Sequence, residues 1–170
     1  KGQAKEVLSE LKVENADDRI YQLNSVPLII ERANTMLARC EKIAVIDAFP
    51  KLLTAVSPAI HAAIERGITI LIQAYAPINI KGAHIAQTHM SDENLDEWNG
   101  QQLNLVIDGR ECLLALVNNQ LNQVHQALWS QSTYLSFILH VGRVREHNAH
   151  ELLGKADSPT FFQETQNLLG

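Results

Sequence analysis

Two short β-rich runs limit the fold more than any other feature of the chain: Ile43–Asp47 (Ile-Ala-Val-Ile-Asp) and the uncharged Ile68–Tyr75 (Ile-Thr-Ile-Leu-Ile-Gln-Ala-Tyr). Apolar runs of that length, without alternation, suit strands buried on both faces. Between them, residues 50–66 read as helix, with Ala59, Ile60, Ala63 and Ile64 on the inner face and Gly67 at the left-handed stop. Pro58 is expected to interrupt it, so that a first turn ends near Val56 and Ser57 caps the main segment. Before the first run, Val26, Ile29, Ile30, Ala33, Met36, Leu37 and Cys40 recur at helical spacing and predict a helix over 26–42. Ser25 supplies its cap and Pro27 its first turn. A short strand, Arg19–Leu23, precedes it. Strand, helix, strand, helix, strand with tight junctions is the pattern of βαβ crossovers, and the class is α/β with a mixed sheet covered by helices on both faces.

Further along, Ala76–Gly100 reads as a loop or broken helix, a length that often lies near a binding site. Leu103–Asp108 and Glu111–Val117 predict two strands joined at Asp108-Gly109, a strong hairpin signal. A polar stretch, Asn118–Gln126, leads to a long helix over about 130–153, with Tyr134, Phe137, Ile138, Val141 and Val144 expected on its inner face. Ser158-Pro159 then restarts a short tail helix carrying Phe161, Phe162, Leu168 and Leu169, which should pack on the domain or on a partner chain. At the other end, Val7, Leu8 and Leu11 form a narrow stripe over residues 1–18, fit for a coiled-coil linker or for a helix lying on its own domain. The expected organisation is a linker helix over 1–18, a main domain over 19–153 and a tail over 154–170.

Composition narrows the function. With 14 basic against 19 acidic residues and a net charge of −5, the chain is a poor stand-alone nucleic-acid binder, which needs clustered Lys and Arg. No apolar run approaches the roughly 20 residues of a membrane span. Cys40 and Cys112 form no CxxC pair, as expected of a cytoplasmic protein. Lys1 in place of Met suggests a piece of something longer.

Local chemistry is sparse. His147 and His150 stand i, i+3 on the last long helix, but no third ligand follows at a convincing spacing, so no metal is expected. His84 and His89 sit in a polar loop without a partner motif, and both cysteines lie in apolar periodic contexts. There is no glycine-rich phosphate loop and no G-x-S-x-G elbow. Asp47 ends a buried strand, where a receiver domain holds its phosphorylated aspartate, yet the acidic pair and lysine that chemistry requires are missing from suitable strand ends. Asp47 is expected instead to face a crevice at the carboxyl edge of the sheet.

The informative stretch is Gly100–Asn119, Gly-Gln-Gln-Leu-Asn-Leu-Val-Ile-Asp-Gly-Arg-Glu-Cys-Leu-Leu-Ala-Leu-Val-Asn-Asn. It resembles the phospholipase D superfamily motif H-x-K-x4-D-G, with Asp108-Gly109 in the Asp-Gly position and Asn118-Asn119 in that of the trailing asparagine. Gln101 stands where the histidine nucleophile belongs, and Leu103 where the phosphate-binding lysine belongs. Glutamine forms no phosphohistidine and leucine offers no charge to a phosphoryl group. A disarmed domain of this kind resembles the effector domain of TrmB-type transcriptional regulators. Asp17-Asp18-Arg19-Ile20-Tyr21-Gln22-Leu23, Ile29-Ile30-Glu31-Arg32-Ala33 and Ala62-Ala63-Ile64-Glu65-Arg66-Gly67-Ile68 extend the resemblance over roughly residues 1–153.

The resemblance implies a non-catalytic, cytoplasmic, homodimeric effector domain. It implies a small-molecule effector, a sugar or another metabolite, and DNA contact only through a winged helix upstream of Lys1. Sugar-sensing members carry a further β-rich segment after this domain, and the stretch after Gly154 is too short for one, which turns the expectation away from a sugar. No cofactor is expected. Asp47, Gln73, Tyr75, Asp108, Asn118, Asn119 and Trp129, all at or just after expected strand ends, are the candidate ligand residues. The competing readings are a phosphodiesterase or nuclease of the phospholipase D type and a purely structural dimerisation domain.

Overall fold

Ten elements follow one another in the computed structural model, which describes residues 17–88 and 100–153, with side chains as far as Arg143. They are β1 (Ile20–Gln22), α1 (Val26–Arg39), β2 (Ile43–Ala48), α2 (Pro50–Glu65), β3 (Thr69–Ala74), β4 (His84–Gln87), β5 (Gln101–Ile107), β6 (Glu111–Val117), β7 (Val124–Ser130) and α3 (Thr133–Leu153). The expected linker helix, apart from Asp17 and Asp18, lies outside the described residues. So do the tail, His89 and the side chains of Val144, His147 and His150.

The strands form one seven-stranded sheet in the order β1-β7-β6-β5-β2-β3-β4. β2, β3 and β4 run parallel, and the remaining pairings are antiparallel, so the sheet is mixed. Residues two apart share a face. Ala44, Ile46, Ile70, Ile72, Leu103, Leu105, Leu113 and Ala115 therefore line one face, where they form a single core with Ile29, Ala33 and Leu37 of α1 and Leu52, Val56 and Ile60 of α2. The opposite face presents Asp47, Gln73, Gln102, Asn104 and Cys112, and α3 crosses it from β6 to β4. The chain is thus a three-layer α/β structure.

Local chemistry sets the junctions. Ser25 Oγ accepts from Leu28 N at the start of α1. At the end of α2, Gly67 takes φ 84 and donates to Ile64 O, while Ile68 N reaches Ala63 O. These two bonds satisfy carbonyls that a helix end leaves open. Asp108 and Gly109 both have positive φ, 52 and 63, in the turn between β5 and β6. Asp108 belongs to that turn, and not to the preceding strand as expected.

Four further expectations are corrected. α1 stops at Arg39, three residues early. α2 runs unbroken through Pro58, whose ring is exposed while Leu53, Val56, Ile60 and Ala63 around it are buried in the core; tertiary packing outweighs the hydrogen bond that proline removes. Two strands were hidden by polar sequence. β4 lies inside the expected loop, and β7 occupies what read as a polar stretch and the start of a helix, with His125 and Gln126 exposed and Ala127 buried. Finally, α3 is turned about its axis. Tyr134, Phe137 and Ile138 face solvent, and Ser136 is the fully buried residue of that turn.

Candidate functional site

The carboxyl ends of β2 and β3 carry Asp47 and Gln73 side by side, paired in register. β5 runs antiparallel to β2, which brings the start of β5, Gln101 and Gln102, to the same edge. Two polar groups result, one on each face of the sheet.

On the α3 face, Asp47 is 1% exposed. Its Oδ1 accepts from Gln102 Nε2 at 2.9 Å and its Oδ2 from Asn104 Nδ2 at 3.2 Å. Arg143 of α3 places Nη1 2.7 Å from the same Oδ2. The buried charge is therefore both paired and hydrogen-bonded, the condition under which such a group is tolerated. Beside it, Gln73 is 7% exposed and donates from Nε2 to Thr88 Oγ1 at 2.6 Å. Among the described residues its Oε1 is buried without a donor, and an acceptor left so costs about 1–3 kcal/mol. Tyr75 follows β3, buried against Phe49 with ring centroids 4.7 Å apart.

On the α2 face, Gln101 occupies the end of the sheet beneath the first turn of α2. Its Oε1 accepts from Lys51 N at 3.1 Å and its Nε2 donates to Asn119 Oδ1 at 3.1 Å. Lys51 Nζ reaches Asn119 O at 2.7 Å. Leu103, two residues on, is buried in the hydrophobic core. Asn118 shapes the turn after β6, with Oδ1 accepting from Asn122 N and Gln123 N.

Asp108 and Trp129 lie at the opposite edge. Asp108 accepts from Glu41 N, Lys42 N and Ile43 N at 2.9–3.0 Å and from the Cys40 thiol at 3.6 Å. Burial pushes its carboxyl up, but the three backbone N–H groups outweigh burial and hold it below its ordinary value. The same burial, with the Asp108 charge beside it, pushes the Cys40 thiol up to about 12. Trp129 stacks under Arg32, 4.0 Å from guanidinium carbon to ring centroid, and lies 5.1 Å from the Tyr21 ring. Its indole N–H donates to Glu111, which also pairs with Arg39. These two residues tie elements together at the far edge.

Of the seven candidates, Asp47, Gln73 and Tyr75 gather at one end of the parallel strands, and Asn118 and Asn119 join that edge from β6. Sequence reasoning missed Gln102, Asn104, Thr88 and Arg143 and treated Gln101 only as a missing histidine. The available signal was the polar run Gln101-Gln102 and Asn104 inside an otherwise apolar strand. An open groove of about 790 Å³ runs along α1 past Val26, Ile30, Asn34 and Leu121, and none of the seven lines it. Among the described residues no group of three or more His, Cys, Asp or Glu side chains could hold a metal. Among them, too, no helix is long and apolar enough to cross a membrane.

No protein-family profile matches the sequence, and no curated protein sequence does. Solved structures do match. TrmBL2, an archaeal chromatin protein with a novel mode of DNA binding, superposes with a TM-score of 0.57 at 14% identity over 85% of this chain. The chain spans 59% of the length of TrmBL2. NucT from Helicobacter pylori superposes with a TM-score of 0.58 at 13% identity, covering 75% of this chain and 94% of NucT. A phospholipase D family member, Nuc from Salmonella typhimurium, superposes at 0.48 with 11% identity, over 75% of this chain and 95% of its own. The fold is α/β, with a mixed sheet between helices, and it is like those of TrmBL2 and NucT.

Proposed function

We propose that this chain is a non-catalytic regulatory domain that binds a small metabolite at the carboxyl edge of β2 and β3 and acts as a homodimer in the cytoplasm. It would couple ligand occupancy to the spacing of two DNA-binding heads carried upstream of Lys1. The observation that carries the reading is the state of the two positions where a phospholipase D enzyme holds histidine and lysine. Gln101 is locked between Lys51 N and Asn119, and Leu103 is 1% exposed inside the core. Neither is a nucleophile, and leucine offers no charge to a phosphoryl group.

Two further points support it. The structural likeness to TrmBL2, a chromatin protein that binds DNA, is in keeping with a regulatory domain. The buried Gln73 Oε1, an acceptor without a donor among the described residues, is suited to a ligand hydroxyl or amide that completes it. A ligand would act by favouring one dimer arrangement through its differential affinity for the two.

The resemblance of Gly100–Asn119 to the phospholipase D motif supports a second reading, a phosphodiesterase, and one experiment separates the two. The purified chain is incubated with bis-p-nitrophenyl phosphate and with single-stranded DNA, and in parallel its thermal unfolding is followed with a panel of metabolites. The regulatory reading expects no turnover and a raised Tm with at least one compound, because a ligand that binds only the folded state must stabilise it. Turnover well above the no-protein rate would overturn it.

A further inference from the structure

We propose that the outward face of α3 is the surface through which two copies of this chain join, with α3 of one packed antiparallel on α3 of the other. The inference rests on the homodimeric reading above and adds to it the place and the geometry. The helix divides its apolar residues, with Leu135 and Leu139 half-buried and the bulkiest ones turned outward. Toward the sheet it turns Ser136, His140 and Arg143: Ser136 is fully buried, burial holds the His140 imidazole below its ordinary value, and Arg143 meets Asp47. Toward solvent it turns Tyr134, 78% exposed, Phe137, 55%, and Ile138, 52%. A surface helix of a stable monomer is built the other way round, with its apolar stripe on the core.

Spacing and charge select a second copy as the occupant. Tyr134, Phe137, Ile138 and Val141 stand at i, i+3, i+4, i+7, the ridge that lets two helices interlock. From Thr133 to Gly142 the helix has no Asp, Glu, Lys or Arg, so laying the ridge on its own copy opposes no like charges. A two-fold axis between Phe137 and Ile138 makes the ridge self-complementary, as an isologous interface must be. The area is of the right order. With aromatic side chains offering about 150–250 Å² each, the three exposed residues supply about 400 Å² per copy. A specific interface needs about 800 Å² per partner, so the ridge accounts for about half and residues beside it would have to contribute the rest. Gly142, with no heavy atom within 4 Å of where a Cβ would stand, gives room at the end of the ridge for a large ring.

Light scattering on the full chain tests this, using the wild type, Phe137→Glu, and Ile138→Cys under mild oxidation. The expected results are a wild-type mass of twice 19.0 kDa, a loss of dimer affinity of at least about 100-fold in Phe137→Glu with its circular dichroism unchanged, and a disulfide-linked dimer in Ile138→Cys. Both native thiols are buried and would not compete. A wild type that is dimeric and stays so in Phe137→Glu overturns this interface but leaves the homodimer standing elsewhere. A monomeric wild type overturns the homodimer itself; if removing residues 154–170 then lowers the Tm of that monomer, the chain's own tail covers the ridge.

Discussion

Arg143 of α3 and Asp47 of β2 meet at 2.7 Å at the carboxyl end of β2, the guanidinium reaching a carboxylate that is almost wholly buried. The pair ties the third layer to the second. Asp47→Ala should cost about 3 kcal/mol, because it strands a cation and two amides at once. Asp47→Leu combined with Arg143→Met should recover most of that loss, since an apolar pair of similar volume removes both desolvation penalties. Urea unfolding of the three proteins measures both effects.

The far edge is held by one carboxylate bonded to three backbone N–H groups. Because the Asp108 carboxyl sits below its ordinary value of 3.8 in the folded chain, its stabilisation is present above the unfolded-state value and lost as pH falls through the folded one. Stability should therefore drop as pH goes from 5 toward 2, and drop less steeply in Asp108→Asn. Midpoints of urea unfolding across that range give the two slopes. At pH 7, Asp108→Ala should cost about 2 kcal/mol, as the loss of a strong cap does.

Restoring the enzymatic residue types should not arm the domain. Leu103 packs among Leu105, Leu52 and Ile46 in one core, so Leu103→Lys buries a charge without a partner and should cost at least about 3 kcal/mol. The Gln101→His, Leu103→Lys double variant is expected to be destabilised and inactive on bis-p-nitrophenyl phosphate. Activity in a stably folded double variant would show that the scaffold still holds a working catalytic geometry.

Both thiols should be inert until the chain unfolds. Cys40 is pushed up to about 12, and burial raises Cys112 as well, so neither supplies thiolate at neutral pH. Ellman's reagent at pH 8 should label no cysteine in the native protein within minutes and both of them in 8 M urea.

Much of the architecture was legible because core strands speak through composition. Ile43–Ala48 and Thr69–Ala74 are buried on both faces and read as unbroken apolar runs, and Gly67 marked the end of α2 where the chain turns left-handed. β7 was not legible: one of its faces packs on the core through Ala127 while His125 and Gln126 stay wet, and the polar residues gave the stronger signal. α3 was misread for a different reason. Its apolar stripe is real, but its inner face is fixed by the charge of Asp47, which only the folded sheet brings within reach. The same holds for the site, where Asp47 and Gln73 could be picked as strand ends, whereas Arg143, 96 residues from Asp47 in sequence, could not. Asp108-Gly109 was correctly read as a hairpin signal although Asp108 was given to the strand, and its bonds to three backbone N–H groups became visible only with the β2 entry folded beside it.

Gln73 offers the most direct test of the account. Its side chain has a buried acceptor with no donor among the described residues, a structural cost that a ligand would relieve and that a leucine would remove. Isothermal titration of wild type and Gln73→Leu with each compound that raises the wild-type Tm compares the two. The account predicts saturable binding to the wild type, a loss of at least about 10-fold in affinity in Gln73→Leu, and a variant whose unliganded stability lies within about 1 kcal/mol of wild type or above it. Equal affinity in the two proteins, or no compound bound by the wild type at all, would contradict it.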